Sequence, residues 1–101
     1  MSFLTYMLKC SDNSYYVGQT DNLERRISGH ESAETSYYTT SRRPVTLVWS
    51  QEFATRVEAI SAERQIKGWS RKKKEALVRG DWKEIERLAL GTKNPMPEYL
   101  R

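Results

Sequence analysis

Leu4, Tyr6 and Leu8 alternate with Phe3, Thr5 and Met7, a polar cluster follows from Ser11 to Ser14, and a second short run extends from Tyr15 to Thr20. Period two bounded by turn chemistry predicts a hairpin with strands over 3–9 and 15–20. With the turn centred near Asp12, Tyr6 falls opposite Gly18 and diagonal to Tyr16. All three then share one face, because side-chain direction alternates along a strand.

From Asp21 the period changes. Leu23 and Ile27 mark the buried stripe of a helix over about 22–31, with Asp21 as its cap and Glu24 as the reciprocal partner of a capping box. The polar stretch Ser32 to Arg43 reads as a loop ending at Pro44, and Val45 to Trp49 as a third strand. Thr55 and Glu58 form another capping box. Val57, Ala59, Ile60, Ala62 and Ile66 give the helix that follows, which stops near Gly68. Ser70 caps a helix from Arg71 to Arg79 that ends at Gly80, and Asp81 with Glu84 opens a last one carrying Trp82, Ile85 and Leu88. Trp49, Trp69 and Trp82 sit beside apolar positions and read as core. The order is ββαβα followed by two short helices. It predicts an α/β fold: a small three-stranded antiparallel sheet flanked by helices, one domain over 1–91, and a loose tail over 92–101 that holds Pro95 and Pro97.

The composition adds few constraints. At 101 residues, 38% hydrophobic and 30% charged, the chain is sized and balanced for one globular domain. No apolar run reaches the ~18–20 residues of a membrane span. The first nine residues lack the layout of a signal peptide, so a cytoplasmic protein without membrane contact is expected. Cys10 is the single cysteine, which excludes an internal disulfide or a cysteine-built zinc cluster. Seventeen Lys and Arg against thirteen Asp and Glu leave a net charge of +4. Arg42, Arg43, Lys67 and the run Arg71 to Lys74 gather that excess in the second half, as an anionic partner or a solvated basic face would require.

Polar residues on the inward faces carry the chemistry. At about 100° per residue, Arg26 and His30 lie beside Leu23 and Ile27, and are neighbours four residues apart. Glu63 falls within the arc of Ala59, Ile60, Ala62 and Ile66, where a carboxylate is costly unless it is paired or binds a metal. One reading makes Glu63 and Arg26 a buried structural bridge, His30 a core histidine and the tyrosines cross-strand packing. The other makes the group a reaction centre.

These residues, Leu4-Thr5-Tyr6, after nine intervening residues Tyr16-Val17-Gly18, then Asp21-Asn22-Leu23-Glu24-Arg25-Arg26, His30 and Glu63, resemble the GIY-YIG nuclease domain and its small stand-alone bacterial branch. The similarity runs from about Leu4 to Val78 and takes in Tyr38-Thr39, Arg42-Arg43-Pro44 and the stretch from Glu63 to Lys74. The first triplet keeps only its tyrosine, and Gln19 stands where some members carry a lysine.

The resemblance implies a metal-dependent endonuclease that hydrolyses phosphodiester bonds in DNA, including single-stranded or branched DNA, in repair or recombination. It assigns Glu63 to one Mg²⁺ or Mn²⁺, with waters and a phosphate oxygen completing the shell. Tyr6 is implied as general base, Tyr16 as the residue that orients the water or shares that role, Arg26 as donor to the non-bridging oxygens, and His30 as a proton relay from Tyr6. Gly18, Tyr38, Arg42, Arg43, Lys72 and Lys73 are expected along the nucleic acid. With one domain in view, the expected cleavage is non-sequence-specific or structure-selective. The alternatives are a nucleic-acid-binding module of this fold with little catalysis, or an adaptor activated by a protein partner.

Overall fold

The computed structural model describes residues 2–31 and 42–89. Three strands, β1 (Phe3–Lys9), β2 (Tyr15–Thr20) and β3 (Thr46–Phe53), form an antiparallel sheet in the order β2-β1-β3. Helix α1 (Leu23–Glu31) joins β2 to the chain leading into β3, and α2 (Arg56–Lys67), α3 (Arg71–Arg79) and α4 (Trp82–Ala89) follow. This is the expected ββαβα order with two short helices after it.

The hairpin turn is built by three residues. Asn13 takes the left-handed conformation (φ 68°), and the Asp12 carboxylate accepts from the Ser14 N–H at 3.0 Å. Pairing then runs as anticipated, Tyr6 with Gly18 and Leu8 with Tyr16. β1 is the central strand, paired on both edges, and apolar clusters cover both of its faces. Met7 and Val17 join Phe53, Ala59, Ala62, Ile66, Trp69, Ala76, Leu77 and Ile85 in the larger core, beneath α2, α3 and α4. Tyr6, Leu8, Cys10 and Val45 form a smaller core, with Tyr16, Leu23 and Ile27 packed against it, so α1 covers the opposite face.

Four local expectations are corrected. The cap of α1 is Asn22, whose side-chain oxygen accepts from the Arg25 N–H at 3.1 Å. Asp21 faces Arg56 at 3.5 Å instead, because Thr20 Oγ1 accepts from the Asn22 N–H and sets the entry one residue later. β3 runs on to Phe53 although Ser50, Gln51 and Glu52 are polar. It is an edge strand with a bulge opposite Met7 and Leu8, so its outward side chains meet water. Val57 is 74% exposed, since two residues before Ala59 lies about 200° around the helix from the buried stripe. Asp81 caps α4 through the Glu84 N–H, but the Glu84 carboxylate turns to Arg87 rather than back to the cap.

The other caps match the sequence. Thr55 and Glu58 make both halves of their capping box, Ser70 accepts from the Lys73 N–H, and Gly80 closes α3 at φ 70°, a backbone that side chains rarely tolerate. The tail after Gly91 and most of the loop after α1, with Tyr38, lie outside the described residues. Among the described residues, no helix is long and apolar enough to cross a membrane.

Candidate active site

The hairpin register brings the site together. Tyr6 is 1% exposed, and its ring lies across Gly18. A Cβ on Gly18 would stand 2.5 Å from the Tyr6 phenol oxygen and 2.7 Å from Cζ, closer than real side-chain carbons come. The space left by the missing side chain is therefore filled by the phenol. We predict that Gly18→Ala displaces this ring and lowers stability by about 1–3 kcal/mol, read as a fall in Tm. Tyr16 sits diagonally beside it, with ring centroids 6.4 Å apart and planes tilted by 44°.

Charges reach this phenol from both layers. Arg26 is half-buried on α1, next to Ile27, which packs on the Tyr6 cluster. Glu63 comes from α2 with its side chain 19% exposed, and accepts from Lys67 Nζ at a long 3.4 Å. Burial pushes the Tyr6 phenol well above its ordinary range, and the neighbouring Tyr16 and the Glu63 carboxylate push it further. Arg26 pulls the other way without reversing the sum. The ion pairs among the described residues do not join Arg26 to Glu63, so the buried structural bridge weighed from sequence is absent. His30 stands one turn after Arg26 in α1.

The residues expected along a nucleic acid are less uniform. Lys73 is corrected: it is 3% exposed, with its ammonium 4.7 Å from the centre of the Trp69 ring, and burial lowers its pKa. Lys73 lies three and four residues before Ala76 and Leu77, on the buried stripe of α3, which a reading of the run Arg71 to Lys74 as one basic face misses. Arg71 is held as well, donating to the Asn13 carbonyl at 2.7 Å and lying over the Tyr15 ring. Arg42 donates to Asp12 at 2.9 Å, so it fastens the chain before β3 to the hairpin turn. Arg43 and Lys72 are exposed. Tyr38 lies outside the described residues.

Two polar residues on the α2 side of the hairpin, Thr5 and Gln19, were noted in the sequence without being given a role. Thr5 is fully buried and donates through Oγ1 to the Ala59 carbonyl at 2.7 Å, which ties β1 to α2. Gln19 pairs with Thr5 across the hairpin, and its side-chain oxygen is buried without a hydrogen-bond partner. The signal was the alternation itself, since Val17 and Gln19 point the same way.

A sheet of this order, with two tyrosines against one glycine, an arginine on the first helix and a glutamate on the second, defines a GIY-YIG-type domain. The family model described as the GIY-YIG catalytic domain matches residues 2–76, and the chain belongs to that family. It is similar to a UPF0213 protein of Bacillus pumilus, 44% identical over 73 residues that span 72% of this chain and 74% of the relative. UPF0213 protein YazA of Bacillus subtilis is 42% identical over the same shares. Among solved structures, the UPF0213 protein BH0048 of Bacillus halodurans matches with a TM-score of 0.52 and 37% identity, covering 88% of this chain and 98% of that one. The E. faecalis protein EF2693 matches with a TM-score of 0.56 and 36% identity over 79% and 85%. The family is of nuclease type and implies a nucleic-acid substrate, and its nucleases are generally dependent on a divalent metal.

Proposed function

We propose that this chain is a divalent-metal-dependent endonuclease that hydrolyses phosphodiester bonds in DNA, non-sequence-specific or structure-selective, and serves repair or recombination. The observation that carries the reading is the buried Tyr6 phenol, laid over Gly18 beside Tyr16 and within the fields of Arg26 and Glu63 together. A scaffold gains nothing from holding a phenol where two opposite charges act on it.

The donor set fits a hard cation. Among the described residues, the Glu63 carboxylate accepts only the long contact from Lys67. Among the described residues no group of three His, Cys, Asp or Glu gathers to form a closed cage. One carboxylate suits Mg²⁺ or Mn²⁺, which retain water and take substrate phosphate oxygens. Such a cation, when bound, neutralises charge developing on the phosphate and the leaving oxygen. Arg26 donates to the non-bridging oxygens as negative charge grows there. Tyr16 orients the attacking water, Tyr6 accepts its proton, and His30, one turn from Arg26, relays that proton onward. Arg43 and Lys72 hold the phosphate backbone.

The test is incubation of purified protein with labelled single-stranded, duplex and branched DNA in Mg²⁺, Mn²⁺ or EDTA. Products that require metal are expected, with one DNA structure cut fastest, whereas equal cleavage in EDTA would overturn the metal role. The burial that raises Tyr6 favours one second reading, a nucleic-acid-binding module with little turnover. It gives salt-sensitive binding and no products in the same tubes.

A further inference from the structure

Among the described residues, the side-chain oxygen of Gln19 is buried beside this site without a hydrogen-bond partner, which neither folding nor the residues already discussed explain. A buried acceptor left unpaired costs about 1–3 kcal/mol. Native structures retain such a group only for a reason. Its surroundings narrow what that reason is. Val17, two residues earlier on β2, is packed in the larger core with Ala59, Ala62 and Ile66, so Gln19 faces α2 as well. Thr5, its partner in the register, is already committed, donating to the Ala59 carbonyl. Glu63 lies one turn beyond Ala59 on that helix, and positions four apart share a face. The unpaired oxygen and the Glu63 carboxylate thus enter the same layer between sheet and helix, one from each wall. Next to Gln19 on β2 is Gly18, under the phenol on which Glu63 acts.

Two oxygen acceptors in one layer call for a partner rich in donors, and a hydrated divalent cation is such a partner. We propose that Gln19 is a positioning residue for the cation held at Glu63, its side-chain oxygen accepting a hydrogen bond from water in the hydration shell of that ion. The proposal rests on the metal role given above and extends it to a residue on the opposite wall. Groups that orient a metal's inner shell in this way change affinity by about 10- to 100-fold when removed. Gln19 would contribute no direct bond to the metal and would not touch the phosphate.

The experiment is titration of the ¹⁵N-labelled full chain with Mn²⁺, reading paramagnetic broadening of the Gly18 and Glu63 amide resonances, for wild type, Gln19→Met, Gln19→Glu and Glu63→Ala. Gln19→Met keeps the length and removes the acceptor, and should weaken the apparent Kd by about tenfold or more with the remaining spectrum unchanged. Gln19→Glu keeps the acceptor and should bind Mn²⁺ at least as well as wild type. Should Gln19→Met fail to fold, Gln19→Asn takes its place with the same expectation, because it withdraws the oxygen by one methylene.

A Gln19→Met affinity within about twofold of wild type overturns the proposal, as does equal weakening in Gln19→Glu. If Glu63→Ala abolishes broadening while Gln19→Met binds normally, the role of Gln19 falls and the metal role stands. If wild type shows no selective broadening at all, both fall.

Discussion

Glu63→Ala and Arg26→Ala should each lower metal-dependent DNA cleavage by about 10²- to 10³-fold, the loss that follows removal of one preorganised charge or donor from a transition state. Neither should unfold the protein. Among the described residues, Glu63 gives up one long contact with a half-exposed Lys67, and such pairs contribute about 0–1 kcal/mol. For a chain of this size that is at most several degrees in Tm, about 4–8 °C per kcal/mol. A structural bridge would behave differently, because breaking a buried pair costs about 3–5 kcal/mol from either side. Thermal melts of the two variants beside their cleavage rates therefore separate chemistry from scaffold.

The two losses also differ in kind. With Glu63 gone, the residual rate should no longer respond to exchanging Mg²⁺ for Mn²⁺ or adding EDTA. With Arg26 gone, metal dependence should persist at a lower rate, and Arg26→Lys should recover little, since a point charge cannot reproduce the planar fork that spans two phosphate oxygens. Wild-type rates in both variants, with the fold intact, would remove Glu63 and Arg26 from the reaction.

What the sequence carried was periodicity. Two strands separated by Asp12 and Asn13 place Tyr6 opposite Gly18 by counting alone, and the structure has that register. The inward arc of α1 likewise put Arg26 beside Ile27, where it is half-buried. The failures came where a particular contact or strand pairing outweighs the preference of the residue type. Asp21 looks like a cap, yet Arg56 holds it while Asn22 does the capping. Lys73 looks like surface, yet Trp69 offers its ring face to the ammonium. β3 ran past its apolar residues because pairing with β1, not its own composition, sustains it. What occupies the space above Gly18 was not legible either. Counting shows which residues are opposite one another, whereas the fact that the Tyr6 phenol fills this space depends on a ring orientation no pattern encodes.

Removing one oxygen atom from Tyr6 is the sharpest probe of the reaction. Tyr6→Phe leaves the ring over Gly18 and the small core intact, and should reduce cleavage by about 10²- to 10⁴-fold, the contribution of a positioned general base. The pH profile tells more than the magnitude. A phenol ordinarily titrates near 10. Here burial, Tyr16 and Glu63 raise it further, so the phenolate is a small fraction throughout the neutral range. Below its pKa that fraction grows tenfold per pH unit, and the wild-type rate should rise with the same slope without a plateau up to about pH 9. Tyr6→Phe should flatten the slope, while Tyr16→Phe should keep it at a lower rate if Tyr16 only orients the water. Arg26→Ala removes the charge that pulls Tyr6 down, so its profile should stay steep to still higher pH. A slope that survives in Tyr6→Phe would show that the proton goes elsewhere, and a slope lost in Tyr16→Phe alone would move the base to the neighbouring phenol.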